Sequence, residues 1–338
     1  MQKNSSNPWL VGDTMDDTPK KLKDYHKIYE QVYENPGIPS YQITKNTGIS
    51  RSTASRYLQE MYKLSIMKGP LIFIEPAENY KLYAAFLEFE HPVPTYLEFK
   101  GFPNVIHRSL SLGNWNILLI CEKLMNFSVL NGFKKCIYQG AKSVTYLSKV
   151  TSIDWDQSIK KMYTVVSPPN QKSTLYEEIP YIPWNNKEWI LYHKFRHNTR
   201  AQVMPVLRES KIRFVQYQKW LSELPQFVNI QPAFYPYGLD SYFVIDFLFH
   251  SEYHKELTHI LGMLPSTTVF FSVDEYLLAR LTFLSTTQEN ELLSLIFHLG
   301  EKGYYKAFHS ARVVSTSHQQ LNELTGDFLL RTMTNRGD

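Results

Sequence analysis

The pattern of apolar and polar residues predicts three short helices and a strand at the start of the chain. The first helix ends at Asn35-Pro36-Gly37, and its buried face is formed by apolar residues three or four positions apart: Leu22, Tyr25, Ile28, Tyr29 and Val32. Ser40 and Ser50 are each placed to cap a further helix. The β-rich run 71–74 follows a break at Lys68-Gly69-Pro70 and is predicted to be a wing. The segment therefore reads as a winged helix-turn-helix.

The rest of the first half alternates between strand and helix periodicity. From Tyr80 the order is strand, short helix, strand, strand, a helix over 127–138 and a strand over 142–150. This βαββαβ order is typical of a ferredoxin-like domain. The polar, Pro-rich segment 167–184 follows as a linker.

The second half repeats this order of elements. Helical stretches begin at Trp189, Val203 and Phe214, and a second βαββαβ series follows. We therefore predict an α+β fold, with two repeats of a winged helix-turn-helix followed by a βαββαβ ferredoxin-like domain. The predicted divisions are a polar tail (1–18), a winged helix-turn-helix (19–78), ferredoxin-like domain 1 (79–166), the linker (167–184), a second, degenerate winged helix-turn-helix (185–236), ferredoxin-like domain 2 (237–318) and a C-terminal tail (319–338).

Composition narrows the class of protein. The 338 residues are 43% hydrophobic and only 20% charged, which excludes a disordered chain. There is no apolar run of roughly 18 residues and no secretory signal, so we expect a cytoplasmic protein without membrane contact. Cys121 and Cys136 show no metal-ligand spacing and are expected to be reduced. We expect no cofactor and no metal.

The third predicted helix carries a polar face suited to DNA. Arginine can donate two hydrogen bonds to guanine and glutamine can pair with adenine, while hydroxyl groups contact phosphates or base edges. The net charge of +4 permits such binding without requiring it. The candidate DNA-binding residues are Ser50, Arg51, Ser52, Thr53, Ser55, Arg56, Gln59 and Lys68.

The second helix-turn-helix and the histidines offer weaker candidates. The helix from Phe214 is rich in large apolar residues, a pattern more typical of packing than of DNA contact. His193 and His197 have the four-residue spacing of a zinc site but lack the glutamate of such a motif. The histidines at 250, 254 and 259 are expected to be exposed and titrating.

Three short motifs resemble the Lrp/AsnC family of transcription regulators. Gly48-Ile49-Ser50, with Arg56 after it, is similar to the family's turn and recognition helix, and Ile190-Leu191 begins a run similar to its first helix. Gly113, Asn114, Trp115 and Asn116 resemble the turn that the family places at a ligand cleft. The resemblance implies a regulator with an oligomerisation and effector-sensing domain, and it makes these four residues candidate ligand-binding residues.

We therefore predict a DNA-binding transcription regulator rather than an enzyme. Its expected partners are double-stranded DNA, a second copy in a homodimer, and a small-molecule effector. One alternative is an enzyme, because Val105-Ile106-His107-Arg108 with Trp115-Asn116 distantly resembles the histidine-containing strand of siroheme decarboxylases, which share this scaffold. Another is a protein-interaction module without DNA binding.

Overall fold

The computed structural model describes residues 19–318, so the two predicted tails, 1–18 and 319–338, lie outside the described residues. The first half contains four α-helices and six strands. In chain order these are α1 (Pro19–Glu34), α2 (Ser40–Thr47), α3 (Arg51–Lys63), β1 (Met67–Ile74), β2 (Leu82–Phe89), α4 (Pro92–Glu98), β3 (Val105–Gly113), β4 (Ile117–Cys121), β5 (Phe133–Lys142) and β6 (Tyr146–Leu147).

Six helices and five strands follow. They are α5 (Trp155–Val165), α6 (Asn186–Phe195), α7 (Val203–Ser210), α8 (Phe214–Glu223), β7 (Val228–Phe234), β8 (Phe243–His250), α9 (His254–Leu261), β9 (Val269–Val273), β10 (Tyr276–Phe283), α10 (Thr286–Glu301) and β11 (Ala307–His318). The series β8-α9-β9-β10-α10-β11 is the βαββαβ order predicted for the second half.

The two groups of three helices are joined through a two-stranded antiparallel sheet. β1 follows the first group and pairs with β7, which follows the second, over Met67–Ile74 and Val228–Phe234. Each group has its own apolar core, and Phe234 of β7 lies in the first core, stacked on Tyr29 with ring centroids 4.7 Å apart. The predicted wing is therefore a strand shared between the two groups.

Eight strands of the two halves form one closed, antiparallel sheet. Their order is β10-β8-β11-β3-β4-β2-β5-β9, and β9 also pairs with β10, which completes the ring. The long strand β11 joins the halves, because its start pairs with β8 and its end with β3. We refer to this ring as the closed sheet.

Helices cover the outside of the closed sheet unequally. α9 and α10 pack on the strands of the second half, and α5 adds Ile159 and Met162 to the same core. On the first half, Tyr96 of α4 and the following Phe99 pack on β2, β3 and β4. Thus α5 follows the strands of the first half in the sequence but packs against the second half and stabilises it.

Two sequence predictions for the first half are wrong. The helix predicted over 127–138 is a 3-10 turn, Phe127–Val129, followed by β5. Of the predicted strand 142–150, Lys142 ends β5 and Tyr146 and Leu147 form β6, while the other residues are not in a strand. Gly132, with φ 71°, turns the chain so that 133–142 pairs along the whole of β2. Pairing of eight residues with β2 outweighs the weak helical pattern of this segment. The α+β class is confirmed, although the two sheets of the predicted layout are one continuous sheet.

No helix among residues 19–318 is long and apolar enough to cross a membrane.

Candidate functional site

The predicted DNA-reading face lies on the exposed side of α3. Ser50 caps the helix by accepting a hydrogen bond from the Thr53 backbone N–H, at 3.3 Å. The residues on the solvent side are Arg51, Ser52, Ser55, Arg56 and Gln59. Ala54, Leu58 and Met61 are buried, as their spacing predicts. Lys68 is half-buried on β1, away from any wing hairpin, since β1 pairs with β7.

The second group of helices is built around its aromatic residues. Tyr217 and Trp220 of α8 are buried in its core, while Phe214 and Val215 are exposed. Burial, with the charge of Arg196 as a second cause, lowers the pKa of His193 to about 3 and that of His197 to about 4. Both histidines are therefore neutral at physiological pH; His193 packs against Trp189 and Tyr192, whereas His197 is exposed at the edge of the group.

The predicted ligand turn between β3 and β4 is fixed by the neighbouring strands. The Asn114 side-chain oxygen accepts from the Ser310 N–H at 2.8 Å, and the Asn114 N–H donates to the Ser310 carbonyl at 2.9 Å. The Asn116 side chain accepts from the Phe89 N–H and donates to its carbonyl, at 2.9 and 2.8 Å. Trp115 is fully buried, with its ring edge-on to Phe86. The turn thus orients Trp115 into the closed sheet.

Gly113 is the one position of this turn that no other residue can occupy. Its φ is +155°, and a Cβ there would lie 2.4 Å from the Ser310 carbonyl oxygen and 2.7 Å from the Ala311 Cα. We expect Gly113→Ala to lower the free energy of unfolding by about 2–4 kcal/mol, because backbone atoms have to move. Urea denaturation measures the change.

Gly303 provides the matched control, because it has φ +87° but nothing within 4 Å of a Cβ. Gly303→Ala is expected to cost only about 1 kcal/mol. Equal costs at the two positions would mean that the close approach of β11 does not constrain the turn.

A polar stripe runs along the inner face of β3. The residues paired directly with β4 are His107 with Ile120, Ser109 with Leu118 and Arg108 with Leu119, and paired residues project to the same side of a sheet. Ile120 and Leu118 belong to the core inside the closed sheet, so His107 and Ser109 face inward, followed by Ser111. All three are buried, at 7%, 0% and 4% exposure. Arg108 faces outward, with its guanidinium 4.8 Å from the Tyr96 ring.

This stripe is unusual because the rest of the inner face is mainly apolar. The inner core consists of Ala84, Phe86, Trp115, Leu118, Ile120, Leu248, Phe271, Val273, Leu278 and Ala311. Among residues 19–318, Ser111 Oγ and Trp115 Nε1 are buried without a hydrogen-bond partner. A buried polar group left unpaired costs roughly 1–3 kcal/mol, so two such groups on one wall make it a candidate binding surface. We call His107, Ser109, Ser111 and Trp115 the polar wall.

Small side chains lie in the same row of the inner face as His107. The row passes from His107 to Ile120 on β4, then to Ala84 on β2 and Gly140 on β5. Ala84 adds little bulk to this row, whereas the space beside Gly140 is filled by the Asp274 carboxylate, whose Oδ2 would lie 1.9 Å from a Cβ at that position.

Two cationic groups complete the inner face. Asp246 of β8 is fully buried and accepts two hydrogen bonds from Arg280 of β10, Nε to Oδ1 at 2.7 Å and Nη2 to Oδ2 at 2.8 Å. Lys142, two residues after Gly140, donates to the Ser143 carbonyl and Thr145 hydroxyl, and its Nζ lies 4.5 Å from the Phe271 ring centroid. Burial lowers the pKa of Lys142 to about 7, against a smaller opposite effect of Glu75. Lys142 has no ion pair within 4 Å among the described residues.

Sequence reasoning found part of this wall and missed the rest. Trp115 and its turn were predicted as ligand-binding residues, and His107 was noted only for the alternative enzyme. Ser109 and Ser111 were missed, although the alternation His107-x-Ser109-x-Ser111 in an apolar strand is a visible signal. Lys142 gave no signal of its own.

Comparison with known proteins relates the fold to one enzyme. No family model matches the sequence, and no curated protein matches it. Among solved structures, the chain is similar to the siroheme decarboxylase NirDL in co-complex with an iron-uroporphyrin III analogue, with 10% identity, a TM-score of 0.50, and coverage of 92% of this chain and 97% of that chain. A second structure of siroheme decarboxylase NirDL matches with the same identity and TM-score and is covered over 99% of its length.

These matches overturn the predicted function. The prediction of a DNA-binding transcription regulator is wrong, and so are the prediction that the chain is not an enzyme and the choice of double-stranded DNA as partner, because the structures that share this fold over nearly the whole chain are of a decarboxylase. The homodimer was predicted because it would present two DNA-reading helices, and without DNA as a partner that reason no longer applies. A capped helix with a polar face is also what any solvated surface helix shows. At the level of the fold, the chain resembles siroheme decarboxylase NirDL.

Proposed function

We propose that this chain is an enzyme of the siroheme decarboxylase type, which binds an acidic tetrapyrrole and removes a carboxyl group from its edge. The observation that carries the proposal is the polar wall, where His107 and two unpaired hydrogen-bond donors face the interior of the closed sheet. Support also comes from the fold, which the chain shares with siroheme decarboxylase NirDL. The turn predicted to bind an effector then becomes part of the substrate site.

The reaction defines what the site has to supply. Loss of CO2 from a carboxylate breaks a carbon–carbon bond and leaves its electron pair on the ring-side carbon, which must then take up one proton. The site therefore needs a proton donor and groups that hold the carboxylates in place. Histidine is suited to the first role because it exchanges a proton near neutral pH.

Three residues of the polar wall, together with Lys142, have a part in this proposal. His107 delivers the proton, from its place opposite Ile120 on the inner face of the closed sheet. Trp115 Nε1–H and the Ser111 hydroxyl donate hydrogen bonds to substrate carboxylates, which satisfies their unpaired atoms. Lys142 lies on the inner face without an ion pair within 4 Å in residues 19–318, so its protonated form attracts an acidic substrate.

Titration with iron-uroporphyrin III tests binding through the change in its visible absorption, and incubation with siroheme tests turnover by mass spectrometry, which detects the loss of CO2. We expect His107→Asn to bind the iron-porphyrin and to lower the decarboxylation rate by about 10²–10⁴-fold. Trp115→Phe is expected to weaken binding, because it removes the N–H and keeps an aromatic ring.

The matched control is His91→Asn, since His91 is an exposed residue before α4 and outside the polar wall. It is expected to behave as the unmodified chain does. Absence of any absorption change with folded protein contradicts the proposal, as does a His107→Asn variant that turns over at the rate of the His91→Asn control.

A further inference from the structure

A second candidate site lies outside the closed sheet, between α5, α9 and the segment that links the halves. It is an open cavity of about 410 Å³, within the range of small-molecule sites. Four separate segments form its wall: residues 146–151, α5, the linking segment around Leu175, and α9 with the turn after it. We call it the basic cavity.

Basic side chains dominate its rim. Lys149, Lys161, Lys255 and His259 all line the cavity, and no aspartate or glutamate does. Two of the lysines are held by carboxylates from nearby: Lys149 by Glu34, and Lys255 by Glu177, with Nζ and Oε1 3.4 Å apart. Lys161 forms no ion pair with any residue in 19–318. The rim thus keeps one positive charge, that of Lys161, without a carboxylate partner among residues 19–318.

The floor of the cavity contains an unsatisfied hydroxyl. Thr258 lines the cavity and is only 8% exposed, and its Oγ1 has no hydrogen-bond partner among the described residues. Leu175 and Met263 provide apolar surface beside it. Thr258 with its buried hydroxyl and Lys161 without an ion pair in residues 19–318 line the same cavity as apolar side chains, which is the arrangement expected for an organic anion.

We propose that the basic cavity binds a small organic anion, whose single carboxylate or phosphate group contacts Lys161 and the Thr258 hydroxyl and whose apolar body lies against Leu175 and Met263. The site is separate from the polar wall, because none of the wall residues lines it. The proposal therefore does not depend on the tetrapyrrole reaction. A ligand with one anionic group matches the charge of the cavity best, because Glu34 and Glu177 already form ion pairs with Lys149 and Lys255.

Calorimetric titration of the full chain with benzoate, phenyl phosphate and benzamide tests this site. Benzamide has the size of benzoate but no charge. At least one of the two anions is expected to bind about tenfold more tightly than benzamide, the change that one charge-assisted hydrogen bond gives. The better anion identifies the preferred head group.

Variants locate the binding. Lys161→Met is expected to weaken binding of the better anion about tenfold, and Thr258→Val to weaken it by a smaller factor. Lys160→Met is the control, because Lys160 is an exposed neighbour on α5 that does not line the cavity, and it is expected to change nothing. Glu177→Gln is expected to strengthen binding, since it releases Lys255.

Three results overturn the proposal. They are binding of neither anion, equal affinity for the better anion and benzamide, and equal effects of Lys161→Met and Lys160→Met. Since Lys161 and Lys160 are both exposed on the same helix, neither substitution is expected to unfold the chain.

Discussion

Replacing Asp246 with asparagine is expected to lower the free energy of unfolding by about 3–5 kcal/mol, the cost of removing one partner from a buried ion pair. Asp246 is fully buried inside the closed sheet, and both of its oxygens accept hydrogen bonds from Arg280. Although burial alone lowers the pKa of Arg280, the carboxylate raises it above its usual value, so the guanidinium stays charged. Without the carboxylate, that charge remains buried and uncompensated.

A double variant separates the cost of the broken pair from the value of the intact pair. Asp246→Leu with Arg280→Met removes both charges and fills the space with apolar side chains, so we expect it to be close to the unmodified chain in stability. Urea denaturation followed by far-UV circular dichroism measures both variants. A single Asp246→Asn variant that loses less than about 1 kcal/mol contradicts the prediction, since that is the value of an exposed pair.

The local elements of the fold could be predicted from the sequence because local chemistry determines them. The cap at Ser50 and the apolar spacing of α3 both appear as predicted. The prediction for residues 133–142 failed because this segment becomes a strand only by pairing with β2, which is distant in sequence. For the same reason no pattern revealed that β11 joins the two halves.

The candidate site was predictable only in part. Asp246 and Arg280 are each the single charged residue in an otherwise apolar strand, which signals a buried pair, but their partnership follows from the register of β8 and β10. His107 and Ser111 alternate visibly, whereas the orientation of their face depends on which sheet face is enclosed. The basic cavity combines lysines from three distant segments, and no sequence spacing brings them together.

The error about function has a different origin. The helix-turn-helix pattern was real as local structure, but a fold does not determine its function. The first wing lacks its own hairpin, because β1 pairs with β7 of the second group. The sequence contains each strand separately and carries no information about that pairing.

Lys142→Met is expected to stabilise the chain at pH 7, by about 1–4 kcal/mol, because a buried cation is replaced by an apolar side chain of similar length. Lys142 is 6% exposed, without an ion pair among the described residues, and its ring contact with Phe271 does not replace the hydration that it loses. Its retention despite this cost is consistent with the role proposed for it towards an acidic substrate.

The pH dependence of this difference identifies its cause. The pKa of Lys142 is about 7 in the folded chain, below the usual value of 10.5, so between these two values the unfolded chain binds the proton and the folded chain does not. Stability of the unmodified chain therefore rises with pH in this window, by at most about 1.4 kcal/mol per pH unit from this group. The advantage of Lys142→Met should be largest at or below pH 7 and shrink towards pH 10. Urea denaturation of both chains at pH 6, 7, 8 and 9 measures it, and a constant difference across that series contradicts the proposed burial of a titrating ammonium group.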